Sequence, residues 1–123
     1  GFVDWKLEVA ETSGQPAGEA ETEAILARLE RAVAALQARG ARVAAFFLPA
    51  CGRRAEIEER RWPRARYWDR FAASSSATVI HAGDEPDFPR FDCYDGSHLD
   101  DDDVPEFTRA LARVVMRRLG ERP

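Results

Sequence analysis

Asp95 and His98 are the residues whose types and spacing most directly suggest chemistry. They stand three apart in Phe91-Asp92-Cys93-Tyr94-Asp95-Gly96-Ser97-His98-Leu99, just ahead of a well-marked helix. A carboxylate beside an imidazole holds the ring in one tautomer and stabilises its protonated form, which suits the imidazole to act as a general base. Gly96 allows a tight turn between the two. The same residues can equally form a plain surface turn, with Asp95 bonded locally and His98 solvated.

Other groups compete with this pair. The run Asp100-Asp101-Asp102-Asp103 carries oxygen ligands for a hard cation, but consecutive side chains do not all face one ion, and acids before a helix are favoured by its dipole. A mixed set of His81, Asp84, Asp95 and His98 has metal-ligand chemistry, yet His81 reads better as the end of a strand. We therefore expect neither a metal nor a cofactor. Cys51 and Cys93 fall near the ends of predicted strands and are either two thiols or one bridge. A thiol paired with His98 would need a lowered pKa to act as a nucleophile. Residues 53–70 hold seven Arg against four acids, and residues 84–106 hold ten acids against one Arg. These read as solvated, ion-paired faces or as a polarised rim around a cleft. Trp62, Tyr67, Trp68 and Phe71 suit packing better than a sugar platform.

The elements that would position the pair follow from periodicity. With 123 residues, 45% apolar and 33% charged, the chain suits one domain spanning 1–123 with a buried core. A net charge of −4 argues against general nucleic-acid binding, and no apolar run approaches the roughly 20 residues of a membrane span. Val3, Trp5, Leu7 and Val9 alternate with polar residues and predict a strand over 2–9, with a flexible loop to residue 19. Ile25, Leu29, Ala32, Val33 and Leu36 predict a helix over 20–39 with an apolar stripe toward the core, closed by Gly40. Residues 42–48 form an apolar run typical of a strand covered on both faces, stopped by Pro49. A helix broken at Pro63 is predicted over 55–72, and a short strand over 77–81. Asp103-Val104-Pro105-Glu106 opens a final helix faced by Val104, Phe107, Leu111, Val114 and Val115. Strands alternating with helices predict an α/β fold with a parallel sheet, and His98 then falls in a loop at the sheet's ligand-binding edge.

The block Asp95-Gly96-Ser97-His98-Leu99, followed by an amphipathic helix, resembles the last conserved block of the SGNH, or GDSL-type, hydrolases. Phe46-Phe47-Leu48-Pro49, the helix carrying Tyr67-Trp68-Asp69, and Asp84-Glu85-Pro86 are similar in pattern to SGNH-like proteins of bacterial cell-envelope polysaccharide acylation. The resemblance spans roughly residues 40–119. It implies a flavodoxin-like three-layer α/β/α sandwich, here incomplete with about three strands. It also implies Asp95 as orienting acid, His98 as base, and a serine esterase or O-acyltransferase acting on a small ester or acylated carbohydrate outside the cytoplasm.

The family's Gly-Asp-Ser nucleophile block is missing, and the chain contains no Asn for its oxyanion block. The serines are Ser13, Ser74, Ser75, Ser76 and Ser97, and none stands in a nucleophile context. The expectation is the C-terminal part of such a domain, carrying the Asp/His half of a triad and little catalysis by itself. The alternative is a non-catalytic α/β binding or assembly module derived from the same fold; a third possibility is that a partner chain or a second copy completes the sheet.

Overall fold

A computed structural model of the chain describes residues 1–48 and 50–120. Its elements, in order, are α1 (Phe2–Thr12), α2 (Glu19–Ala38), β1 (Ala44–Phe47), α3 (Gly52–Arg61), α4 (Trp68–Ser74), β2 (Thr78–His81), a 3-10 turn (Ala82–Asp84) and α5 (Val104–Gly120). The expected strand stop at Pro49 lies outside the described residues.

β1 and β2 pair in parallel, with Ala44 opposite Thr78 and Phe47 opposite His81. Side chains alternate between the two faces of a strand. Ala44, Phe46 and Ile80 share one face, where Phe88 and Ala110, Val114, Phe107, Leu111 and Val115 of α5 complete the largest apolar cluster. Phe88 meets Phe107 edge-on, with ring centres 5.7 Å apart. On the opposite face the Phe47 ring rests 5.1 Å from Trp68 of α4 and 5.0 Å from His81. A disulfide joins Cys51, just before α3, to Cys93 in the loop before α5.

The expected flavodoxin-like sandwich is not formed. The molecule is mostly helical, and among the described residues its sheet has two strands and is open at both edges. The strand expected over residues 2–9 is instead the helix α1. The run Lys6-Leu7-Glu8-Val9-Ala10-Glu11 is rich in helix formers, and alternation of side chains does not make a strand without a neighbour to pair with. In the helix Lys6, Leu7 and Ala10 turn inward, while Phe2, Trp5 and Val9 stay exposed. α1 packs on α3. Arg60 grips the Glu11 carboxylate, and Arg61 donates to the carbonyls of Ala10, Ser13 and Gly14.

α2 forms over the expected span but turns the other way. Gly40 adopts a left-handed φ of 86°. Its N–H donates to Gln37 O, and that of Ala41 to Leu36 O, a Schellman closure. The packed side carries Thr22, Leu26, Glu30, Val33 and Gln37. Glu30 accepts from Ser76 N, and Gln37 bonds Ser76 twice. Of the apolar stripe expected in the core, Val33 lies on the packed side, whereas Ile25, Leu29 and Leu36 face outward at 36%, 45% and 48% exposure. With so small a sheet beneath it, α2 has little apolar surface to bury against.

Candidate functional site

The loop carrying Asp95 is closed by an antiparallel bridge between Cys93 and Leu99 and by a Gly96 N to Cys93 O bond of 3.1 Å. Gly96 has a φ of 85°, and a Cβ there would come within 2.9 Å of Arg54 Cβ. Its carbonyl accepts from Cys51 N at 2.9 Å. The disulfide and this bond fix the loop against the start of α3.

Asp95 is 1% exposed, and its carboxylate is surrounded by donors. Oδ1 accepts from Ser97 N, Ser97 Oγ and His98 N at 3.0, 3.2 and 2.9 Å. Oδ2 accepts from His98 Nδ1 at 2.8 Å and from the Lys6 ammonium. The ammonium, followed by the Ser97 and His98 bonds, holds the Asp95 carboxyl well below the usual carboxylate range. With Nδ1–H directed at Asp95, the neutral ring leaves Nε2 as its acceptor. The His98 side chain is 61% exposed, and Tyr94 stacks against the ring.

A base oriented in this way needs a nucleophile at Nε2. Ser97 Oγ lies 3.1 Å from Nδ1, the nitrogen that already faces Asp95. Ser74, Ser75 and Ser76 make their side-chain bonds around the end of α4 and with α2. Both cysteines are in the disulfide. Among the described residues no hydroxyl or thiol reaches Nε2. Together with the two-stranded sheet, this overturns the SGNH resemblance and the esterase or acyltransferase reading that followed from it. Among the described residues, the sheet and the nucleophile that would give the Asp95–His98 spacing that meaning are not formed.

The four residues considered for a mixed metal site fall into separate networks. His81 accepts from Gly83 N at 3.0 Å, Asp84 is held by Arg64, and Asp95 and His98 bond each other. Among the described residues no three His, Cys, Asp or Glu side chains are grouped to hold a metal ion. The acids at 100–103 form the turn into α5, with Asp103 N bonded to Asp100 O and Asp102 N to Asp100 Oδ1. The Arg-rich segment is occupied by ion pairs. Arg64 bridges Asp69 and Asp84, Arg70 meets Glu19, and Arg54 meets Glu58.

A second candidate lies on the other face of the sheet. Leu29, Phe47, Ala50, Ala55, Trp62, Tyr67, Trp68, Phe71 and His81 line an open groove of about 650 Å³, with Glu58, Glu59 and Arg64 at its margin. His81 uses Nδ1 as an acceptor, so its neutral form carries the proton on Nε2. Burial, then the nearby Arg64 charge, lower the His81 pKa below its ordinary value.

Sequence reasoning missed Lys6 as a partner of Asp95, because a residue placed on a strand at 2–9 has no reason to reach residue 95. The Lys-bearing, helix-forming run was the available signal. The groove was missed as a surface because α2 was expected to turn its stripe inward. No family model matches the chain, and neither the curated proteins nor the solved structures contain a significant match. No helix among the described residues is long and apolar enough to cross a membrane.

Proposed function

We propose that the chain is a non-catalytic binding or assembly module, mostly helical around a small parallel sheet. It acts through the apolar face formed by the outer stripe of α2, the end of β1 and the aromatic groove. The outward stripe of α2 carries this reading: a 20-residue helix presents Ile25, Leu29 and Leu36 to solvent, and Leu29 lines the same groove as Phe47 and Trp68. Contiguous exposed apolar surface of this kind marks interaction sites.

The area agrees. The chain exposes 8381 Å², against roughly 6,600 Å² for a compact monomer of 13.8 kDa. A polypeptide partner fits better than a small ester or an acylated carbohydrate. The polar groups at the groove's margin are already engaged: Glu58 by Arg54, Glu59 by Arg64 N, and Arg64 by Asp69 and Asp84. Few remain to read hydroxyl groups. In this reading Asp95 and His98 form the hub that holds α1 and the loop, not a catalytic pair. The disulfide suits an oxidising compartment.

The test is a double substitution, Leu29→Lys with Leu36→Lys. If the stripe is an interaction surface, the variant keeps its circular dichroism and its stability to within ~0.5 kcal/mol. The parent chain is expected to bind an anilinonaphthalene dye, and the variant to lose that binding. A loss of ~2 kcal/mol or more would mean that the stripe is core, and the proposal would fail.

A further inference from the structure

We infer that the outer edge of β1 is a strand-addition site. It takes an extended apolar segment of a partner polypeptide, parallel to β1, whose inward side chains reach the groove that Leu29 of α2 and Phe47 of β1 line together with Trp62, Trp68 and Phe71. The inference rests on the assembly reading above and specifies its partner.

The backbone sets the edge. Thr78 N donates to Val43 O at 2.9 Å, and β1 and β2 run in register from Ala44 opposite Thr78. In a parallel pair the N–H and C=O groups of alternate residues point to the same neighbour. Ala45 and Phe47 therefore direct theirs at β2, while Ala44 and Phe46 direct theirs away. Among the described residues no other segment bonds the outward groups of Ala44 or Phe46.

Composition and topology point the same way. Edge strands are ordinarily protected by charge, proline or a bulge. Val43-Ala44-Ala45-Phe46-Phe47-Leu48 has no polar residue, which is the composition of a central parallel strand. A helix leading through a short turn into such a strand is the second half of a β-α-β unit. The first strand of that unit lies parallel to the second, with the helix crossing over both. Here the residues ahead of α2 form α1 and sit on α3, and among the described residues no strand pairs with β1 on the edge away from β2. Leu29 on α2 and Phe47 on β1 line one groove, where the inward side chains of a strand beside β1 would pack. A second copy pairing through its own β1 about a two-fold axis would run antiparallel, so strand direction separates the two occupants.

The probe is a panel of end-capped peptides of about eight residues, alternating Val, Ile or Phe with Thr, each with a nitroxide at its N-terminus. Binding is read by amide exchange and line broadening in the full 15N-labelled chain. At saturation, exchange at Ala44 and Phe46 is expected to slow by roughly tenfold or more, with little change at Ala45 and Phe47. The nitroxide should broaden the Ala44 end of β1 more than the Phe47 end. Ala44→Pro removes one outward N–H and leaves the bonds to β2, so it should abolish the protection at Phe46 with an unchanged circular dichroism spectrum. The inference is overturned if none of the peptides slows exchange, if broadening is strongest at Phe47, or if Ala44 and Phe46 become protected with protein concentration alone. Dye binding at the α2 stripe without peptide protection would sink the strand-addition site and leave the assembly reading intact.

Discussion

At the scale of single residues, Asp95 is held from every side. It gathers two backbone amides, a hydroxyl, an imidazole and an ammonium around one buried carboxylate. Its folded pKa lies below its unfolded value. The stabilisation is therefore fully present above about pH 4 and is lost as pH falls below that value. Asp95→Asn should melt lower than the parent chain at pH 7, and the two melting curves should converge as pH drops toward 2. A constant offset across that range would show that the charge of Asp95 contributes nothing. Gly96 is constrained by geometry, since its positive φ and its closeness to Arg54 both exclude a side chain. Gly96→Ala should cost ~1–3 kcal/mol in urea unfolding. The spacing of Asp95, Gly96 and His98 made their local turn legible in the sequence. The ammonium of Lys6 was not, because a contact between residues 6 and 95 follows from the packing of α1 and has no local signature.

At the scale of elements, local signals gave most boundaries and tertiary context decided the rest. The apolar runs around residues 44–47 and 78–81, the break near Pro63 and the opening of α5 were readable, because each depends on neighbouring residues. The face that α2 buries was not readable. A stripe of Ile25, Leu29 and Leu36 says that something apolar should cover it, but not whether this chain supplies the cover. α1 was misread for a related reason: a pattern with period two and a run of helix formers coincide over residues 2–11, and the absence of a neighbouring strand decided between them. The disulfide ties these elements together across a separation of 42 residues. Closing a loop of that length contributes about 4 kcal/mol in the chain-entropy model. The double variant Cys51→Ser, Cys93→Ser should lose ~2–4 kcal/mol of unfolding free energy, with the largest gain in amide exchange in the 91–99 loop. Equal stability of the two forms would show that the bridge is incidental.

At the scale of the whole molecule, the architecture is a two-stranded sheet with helices around it and more exposed surface than its mass requires. Its charges are paired locally: Arg60 with Glu11, Arg64 with Asp69 and Asp84, and Arg117 and Arg118 with the buried Glu85. The pair of Asp84 with Arg64 links the Arg-rich and acid-rich stretches of the sequence, while the acids at 100–103 stay at the surface turn into α5. The covalent bridge has a further consequence. Cys51 and Cys93 enclose α3, α4 and β2 in a closed ring, with α1, α2 and β1 on one arm and α5 on the other. A protease that cuts once inside that ring, for example in the 85–92 loop, breaks the chain but does not divide the molecule. Such a nicked chain should run as a single species on a non-reducing gel and separate into two fragments only when a thiol is added. Nicking would thus be a route to opening the region between β2 and α5 while both arms stay joined.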